Sequence, residues 1–264
     1  ERHDTRAAVA ERAAAAGAEL AFEQFRTGIA AETKASATDL VTEADRAAQR
    51  RVIEVIESRF EDDTIVGEED DALKTVPDEG MAWIIDPIDG TNNFVDGIRV
   101  WGTAVAAVVD GEPVGSAVVL PALEDSYTAD GSAAYRNGTE ISVSETDRPE
   151  LSTVAPMLWW DTDSRGAYAA ATREIVERFD DLRRFGSAQA TLALVADGSI
   201  EGGITDLQAH PWDSVAGVHM VRQAGGRVTD IHGERWRHDS TGMVISNGNV
   251  HDAVQAATNG IVDR

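Results

Sequence analysis

An apolar run that ends in two aspartates dominates the segment from Trp83 to Phe94, WIIDPIDGTNNF. The run predicts a buried strand, and Pro87, which has no N–H, is expected to end the strand's hydrogen-bond ladder after Asp86. Ligand sites tend to lie at strand ends of this kind. Asp86 and Asp89 can then converge on one side of a turn, where two carboxylates repel each other unless a cation lies between them.

An ordinary Asp/Pro/Gly turn would explain the same letters, but two features favour a site. Gly90 and Thr91 follow at once at a predicted helix start, where backbone N–H groups suit a phosphate. Further acids stand in GEED at 67–70 and at Asp213, although an acid at a helix N-terminus is also stabilised by the helix dipole. A hard cation such as Mg²⁺ prefers oxygen ligands, and the Ile88 carbonyl could add one.

The charge balance limits the partners of this chain. The formal net charge is −24, from 47 acidic and 23 basic residues, and only Lys34 and Lys74 are lysines. Such a field repels nucleic acid and anionic membranes, so neither is expected as a partner. Acid-rich, lysine-poor sequences resemble halophilic proteins of a high-salt cytoplasm, where salt screens self-repulsion.

The remaining bulk features indicate a cytoplasmic protein. The chain has no cysteine, which excludes disulfides, thiol catalysis and cysteine-bound zinc. No apolar run approaches the roughly 18 residues that a membrane span needs. The charged N-terminal segment lacks the pattern of a signal peptide.

Periodicity divides the chain into two expected parts, 1–150 and 151–264. The first has predicted helices at 5–26 and 43–60, the latter with Thr42 as N-cap and Asp45 as its capping-box acid, then a strand at MAWIID and an antiparallel meander at 100–143. The second alternates strands and helices, which indicates a layered α/β unit. Its predicted helices are 164–179, 187–197, 213–224 and 250–258, and its predicted strands are LSTVAPML, RRFGS, GGITD, GGRVTD and GMVIS.

Five segments together resemble the inositol monophosphatase family, within the lithium-sensitive, Mg²⁺-dependent phosphatases that include fructose-1,6-bisphosphatases. They are DLVTEAD at 39–45, VGEE at 66–69, WIIDPIDGTNNFVDG at 83–97, GSAQATLALVADGSIEGGITD at 186–206 and PWDSVAGVHMVRQAGG at 211–226. Their order and spacing match across nearly the whole chain. The resemblance implies an α+β fold, a layered αβαβα sandwich of the sugar-phosphatase type.

The resemblance also implies the metal ligands. Glu68, Asp86 and the Ile88 carbonyl would hold a first Mg²⁺, and Asp86, Asp89 and Asp213 would hold a second. Glu68 would help to hold a third, weakly bound Mg²⁺ through water.

The other matched residues would bind substrate and water. Gly90 and Thr91 would bind the phosphate, and Thr91 and Asp45 would orient the attacking water. Gly186 and Ser187 would line the substrate pocket, and Asp206 would bind a sugar hydroxyl.

The expected function is Mg²⁺-dependent hydrolysis of a small phosphate monoester, a phosphorylated polyol or sugar such as inositol-1-phosphate, fructose-1,6-bisphosphate or both. A 3′,5′-bisphosphate nucleotidase is an alternative, although no basic or aromatic nucleotide site is evident. A non-catalytic regulatory member would be expected to lack a ligand or the Thr91–Asp45 pair, and an acidic cation buffer would not need the glycine–threonine loop. The resemblance further implies inhibition by Li⁺ and a homodimer. The meander and the Trp159–Trp160 segment are the candidates for its interface, although no pattern in the sequence establishes either.

Three residues near these motifs allow two interpretations each. Lys34 aligns with a lysine near the family's site, but lone lysines are usually solvated. His210 could contact substrate or be structural, and Glu69 suits a supporting role better than that of a ligand.

Overall fold

The structure is a computed structural model that describes residues 5–27, 32–33, 40–41, 43–69, 72–158 and 162–262. Its helices are α1 Arg6–Gln24, α2 Glu43–Glu57, α3 Thr91–Val95, α4 Arg165–Arg178, α5 Ala188–Ala196, α6 Pro211–Gln223 and α7 His251–Val262. Its strands are β1 Glu32–Thr33, β2 Leu40–Val41, β3 Thr64–Gly67, β4 Met81–Asp89, β5 Gly102–Val109, β6 Glu112–Leu120, β7 Asp125–Ala129, β8 Ala134–Arg136, β9 Thr139–Ile141, β10 Thr153–Pro156, β11 Asp181–Leu182, β12 Gly202–Thr205, β13 Arg227–Thr229 and β14 Met243–Ser246.

The larger sheet is the predicted meander, extended at one edge. Its seven strands lie in chain order from β3 to β9, and only the first pair, β3 and β4, is parallel. Asn137 and Gly138 join β8 to β9 with φ angles of 50° and 75°. Two positive φ angles are what a two-residue hairpin turn with the twist of its strands requires, and Asn-Gly is the sequence that best provides them.

The second sheet is mixed and is formed by the strands after residue 150. Its order is β11-β10-β12-β14-β13. β10 runs parallel to both neighbours, while β14 is antiparallel to both of its own. Separately, β1 and β2 form a short antiparallel pair.

Alternation along the strands places the helices in layers. In β4, Trp83 and Ile85 pack with residues of α1 and α2, while Ile84 packs with residues of α5 and α6. The other face of the α5–α6 layer covers the second sheet, and α4 and α7 cover that sheet's outer face. The order is therefore helices, sheet, helices, sheet, helices, which confirms the αβαβα sandwich.

Two local predictions are wrong, and both concern short segments. RRFGS at 183–187 is not a strand, because the edge strand β11 lies just before it and the segment leads into the N-cap of α5. Pro87 does not end β4, which continues to Asp89 with a shift of register. Proline is tolerated there because a ladder irregularity removes the need for its N–H.

Other sequence predictions agree with the structure or stay open. The long helices lie within a few residues of their predicted bounds, although α2 ends at Glu57 rather than near residue 60. The division at about 150 stays a prediction, and one apolar cluster includes buried residues of both sheets. Thr42, Lys34 and the Trp159–Trp160 pair lie outside the described residues. Within the described part of the chain, no helix has both the length and the apolar character of a membrane span.

Candidate active site

A bulge in β4 brings Asp86 and Asp89 to the same side of the sheet. Asp86 pairs with Ala104 and Asp89 pairs with Gly102, so three steps along β4 match two steps along β5. In a regular strand, residues three apart point to opposite faces. One extra residue restores the same face, as is typical of bulges next to functional sites. The Pro87 carbonyl oxygen accepts a hydrogen bond of 2.7 Å from Thr103 Oγ1, which holds this irregular stretch.

Three carboxylates meet beside this bulge. Asp86, Asp89 and Asp213 each offer an oxygen, and these oxygens lie within 4.8 Å of one another. Asp86 and Asp89 are buried, and Asp213, in the first turn of α6, is half-buried. Asp86 Oδ1 is buried without a hydrogen-bond partner among the described residues. An orphaned buried carboxylate oxygen is costly unless something positively charged meets it.

Two further acids complete the charge cluster around Asp86. Burial, and then the negative charges of Glu68, Asp89, Asp213 and Asp45, hold the pKa of Asp86 well above its usual range. Glu68 directly follows β3, where its backbone N–H donates to the Ile85 carbonyl oxygen at 3.3 Å. Asp45 is buried in the first turn of α2. Predicted acids from four separate segments therefore lie close enough to Asp86 to raise its pKa.

Asp89 is held by the N-terminus of α5. Its carboxylate accepts hydrogen bonds from the backbone N–H groups of Ala188 and Gln189, at 3.1 and 2.8 Å, and from the Ser187 hydroxyl. Ser187 is also the N-cap of α5, because its Oγ accepts from Ala190 N at 3.1 Å. Burial raises the pKa of Asp89, and these hydrogen bonds act in the opposite direction. No local sequence signal indicates this contact, which joins residues about a hundred positions apart.

Thr91 lies between the acids and the start of α3. Its hydroxyl donates to the Ile88 carbonyl oxygen at 3.0 Å and lies 3.4 Å from Asp45 Oδ1. Because a carbonyl oxygen has two lone pairs, the bond from Thr91 does not by itself prevent the Ile88 carbonyl from binding a further partner. Gly90 precedes α3 with a φ of 89°, a left-handed conformation that glycine adopts without strain.

Asn93 joins this loop to the segment before α5. Its Nδ2 donates to the carbonyl oxygens of Val100 and Phe185, at 2.6 and 2.7 Å. Gly186, with a φ of 76°, lies so close that a Cβ there would be 2.8 Å from Asn93 Oδ1. Sequence reasoning did not single out Asn93, although a polar residue directly before the buried Phe94 was a usable signal.

Lys74 was also missed, and its type was a signal. Its ammonium group donates to the carbonyl oxygens of Gly67 and Glu68, at 2.8 and 2.9 Å, and contacts that of Glu69 at 3.4 Å. It is one of only two lysines in a chain that otherwise uses arginine. An ammonium with three N–H bonds can bind several carbonyl groups of one loop, so Lys74 fixes the segment that carries Glu68.

Two predicted residues lie on the approach to α6. Asp206 follows β12 and is half-buried in the connection that leads to Asp213. His210 is exposed at the N-cap of α6, with its ring stacked on Trp212 at a centroid distance of 4.8 Å.

Glu69 is buried, and its backbone groups are hydrogen-bonded to Gln49.

The donor set fits a hard divalent cation. Among the described residues, the charged side chains that raise the pKa of Asp86 are carboxylates, and Mg²⁺ and similar ions prefer oxygen ligands. A cation there would satisfy Asp86 Oδ1 and offset the repulsion among the acids. It would also invert the local field, which a substrate with a negative charge requires.

The fold and the site together define a class of protein. A layered sandwich with an acidic cluster that can hold metal, next to a glycine–threonine loop, is that of a metal-dependent phosphatase, a phosphoric monoester hydrolase. The family model described as the inositol monophosphatase family matches residues 2–262. The chain belongs to the inositol monophosphatase family.

Individual relatives agree with this family and differ in their names. A fructose-1,6-bisphosphatase/inositol-1-monophosphatase of Thermotoga maritima is 36% identical over 238 residues, 88% of this chain and 87% of that protein. A histidinol-phosphatase of Chlorobaculum parvum is 33% identical over 230 residues, 85% of each chain. The solved structure of a Thermotoga maritima inositol monophosphatase matches with a TM-score of 0.86, 34% identity and 96% coverage of both chains.

Proposed function

We propose that this chain hydrolyses inositol-1-phosphate, fructose-1,6-bisphosphate or both, with two or three Mg²⁺ ions. The observation that carries the proposal is the orphaned oxygen of Asp86 within a cluster of acids, next to Thr91 and Asp45. The metal ligands would be Glu68, Asp86, the Ile88 carbonyl, Asp89 and Asp213.

The residues of the site have complementary tasks in this reaction. Bound Mg²⁺ would supply positive charge that lowers the pKa of a water molecule and stabilises the leaving oxygen. Thr91 and Asp45 orient that water, since the hydroxyl and the carboxylate lie 3.4 Å apart. Asp45 accepts the proton, and the backbone N–H groups of Gly90 and Thr91 bind the phosphate oxygens.

The substrate's non-phosphate part would meet the segments that flank this loop. Gly186 and Asp206 line the pocket, and Asp206 binds a hydroxyl of the polyol or sugar. Ser187 contributes mainly through Asp89, because its hydroxyl already donates to that carboxylate and caps α5. Inhibition by Li⁺, the homodimer and adaptation to high salt remain predictions of the family resemblance and of the charge balance.

Phosphate release from a panel of substrates tests the proposal. The panel is inositol-1-phosphate, fructose-1,6-bisphosphate, histidinol phosphate and 3′-phosphoadenosine 5′-phosphate, each with and without Mg²⁺. We expect Mg²⁺-dependent turnover of one or both of the first two substrates. Preference for either of the others would correct the substrate, and no turnover of any by folded protein would refute the proposed activity.

Asp213→Asn tests the metal assignment in the same assay. Asparagine keeps the shape but not the charge, so we expect turnover to fall at least about 100-fold while the fold is kept. Asp252→Asn is the matched control, because Asp252 lies in the first turn of α7 as Asp213 does in α6. Equal activity of the two variants would contradict the assignment of Asp213.

A further inference from the structure

Two buried glutamines lie next to the acidic cluster without a role in the reaction as described. Gln49 in α2 is 1% exposed, and Gln189 in α5 is 0% exposed. A buried amide is costly unless both its N–H groups and its oxygen find partners. The partners of these two side chains are backbone groups of the segments that carry the predicted metal ligands.

Gln189 connects the surroundings of Asp89 to α6. Its backbone N–H donates to Asp89 Oδ2 at 2.8 Å. Its side-chain Nε2 donates to the Trp212 carbonyl oxygen at 2.6 Å, and its Oε1 accepts from Gly217 N at 2.8 Å. One residue is thus bonded to Asp89 and to the backbone on both sides of Asp213.

Gln49 makes the same kind of connection on the other side of the cluster. Its Nε2 donates to the Glu69 carbonyl oxygen at 2.6 Å, and its Oε1 accepts from Glu69 N at 2.9 Å. Gln49 lies one helical turn after Asp45 in α2, so both residues are on the same face of that helix. The pair of hydrogen bonds therefore fixes the segment of Glu68 relative to Asp45.

A glycine stands against each glutamine side chain. A Cβ at Gly67 would lie 2.7 Å from Gln49 Oε1, and a Cβ at Gly217 would lie 2.8 Å from Gln189 Oε1. Real Cβ atoms do not approach oxygen so closely, so each contact depends on a residue without a side chain. The absence of a side chain at Gly67 and at Gly217 thus lets each glutamine approach the backbone that it binds.

The acids need such support because they come from separate elements. Glu68 follows β3, Asp89 ends β4 and Asp213 lies in α6. Their negative charges all act on Asp86, and this repulsion pushes the elements apart. Groups that orient ligands from outside the coordination shell typically change metal affinity 10–100-fold when they are removed. Two-point amide contacts are well suited to resist this repulsion, because they fix both distance and direction.

We propose that Gln49 and Gln189 are positioning residues that hold the metal-binding carboxylates at binding distance. Gln189 sets Asp89 relative to Asp213, and Gln49 sets Glu68 relative to Asp45. The inference rests on the proposed function, since it presumes that these carboxylates bind metal.

Direct metal binding to Gln49→Met and Gln189→Met tests the inference. Methionine is similar in length and keeps the apolar packing but removes the amide. Mn²⁺ is titrated into metal-free protein, and the free ion is counted by electron paramagnetic resonance. We expect the Kd for Mn²⁺ to rise at least about tenfold in each variant. The gain in melting temperature on adding saturating Mg²⁺ shrinks accordingly, by the equivalent of about 1.4 kcal/mol for each tenfold loss.

Gln255→Met is the matched control. Gln255 lies in α7, in the outer layer, and makes a similar two-point contact through Nε2 to the Ile231 carbonyl oxygen and through Oε1 from the Thr229 hydroxyl, at 2.7 and 2.9 Å. We expect metal-free Gln255→Met to be less stable than the metal-free unaltered protein. Its Kd for Mn²⁺ should equal that of the unaltered protein.

Each other outcome has a definite meaning. Unchanged Mn²⁺ affinity in Gln49→Met and Gln189→Met, with lowered melting temperatures, would show that the glutamines only stabilise the fold and would overturn the inference. Failure of the unaltered protein to bind Mn²⁺ would instead overturn the proposed metal site. If Gln189→Met does not fold, Gln189→Asn is measured in the same way, because the shorter side chain withdraws the amide from α6.

Discussion

At the scale of single residues, the backbone of the loop at Gly90 and Thr91 limits which residues can stand there. Gly90 has a φ of 89°, and a Cβ added to it would lie 3.2 Å from the Gly186 carbonyl oxygen, from Ser187 Cβ and from the Val100 carbonyl oxygen. The first of these atoms belongs to the residue before Ser187, whose hydroxyl donates to Asp89. A side chain at position 90 would therefore press on the segment that holds Asp89, a predicted metal ligand.

Gly90→Ala should impair both stability and catalysis. We expect a loss of about 1–2 kcal/mol in the free energy of unfolding from the left-handed conformation. We also expect kcat/KM to fall at least about tenfold, because a small misplacement of catalytic groups is costly. Urea unfolding and phosphate release measure the two effects.

Gly80→Ala is the control for backbone strain alone. Gly80 has a φ of 90°, and a Cβ there would meet nothing within 4 Å. The Gly80→Ala variant should lose stability as Gly90→Ala does, but its kcat/KM should be unchanged. If Gly90→Ala also kept its activity, the close approach between this loop and the segment before α5 would have no catalytic importance.

At the scale of elements, a polar contact holds α1 against the first sheet. Asp63, in the connection after α2, accepts hydrogen bonds from the Arg6 guanidinium and from Trp83 Nε1, the latter at 2.8 Å. The guanidinium of Arg6 also lies over the ring of Phe60, 4.1 Å from its centroid. The carboxylate of Asp63 thus joins α1, β4 and the connection after α2.

Asp63→Ala should destabilise this contact without touching the chemistry. It leaves the N–H of the fully buried Trp83 without its acceptor, which costs on the order of 2–3 kcal/mol. Urea unfolding measures the loss, and kcat at a temperature where the variant is folded should be unchanged.

Arg51→Ala gives the comparison for an exposed ion pair. The Arg51–Glu54 pair joins two largely exposed side chains of α2, so its removal should cost less than about 0.5 kcal/mol. A similar, small loss in Asp63→Ala would contradict the importance of the buried contact.

At the scale of the whole molecule, two buried histidines link stability to pH. Burial, assisted by nearby arginines, lowers the pKa of His219 and of His251 to about 4. His251 Nδ1 lies 2.8 Å from Ser246 Oγ and its Nε2 lies 3.0 Å from Thr229 Oγ1, so the neutral ring joins β13 and β14 to α7. Because the unfolded chain binds these protons at a higher pH, the contribution of the two histidines to stability is complete above about pH 6.5 and is lost as the pH falls towards 4.

His251→Gln should reduce this dependence on pH. Glutamine does not titrate, so the loss of unfolding free energy between pH 7.5 and pH 4.5 should be smaller in the variant than in the unaltered protein. The difference can reach about 1.4 kcal/mol for each unit by which the pKa is lowered. Urea unfolding of both proteins at both pH values measures it, and the effects of the carboxylates cancel in the comparison. An equal loss in the two proteins would contradict a neutral, buried His251.

Most of the elements could be predicted because their signals are local. The alanine-rich α1, the amphipathic α2 and the hairpin with Asn137–Gly138 each follow from residues close in sequence. The edge strand β11 could not, because its two residues pair only where β10 already stands. The acids were found by motif. The contacts of Asn93, Lys74 and the two glutamines could not be found in that way, because their partners are backbone groups and a backbone group is the same whatever the residue.

By itself, the sequence determined the family and the set of acids, because the motifs stand in a fixed order along the chain, and the resemblance to that family implied the order of the layers. The tertiary structure decided how the acids meet. The bulge that turns Asp86 and Asp89 to one side depends on the register between β4 and β5, and the bonds from α5 to Asp89 span about a hundred residues. Register and long-range contact arise only when the layers pack, because side-chain direction in a strand reverses with every single-residue shift.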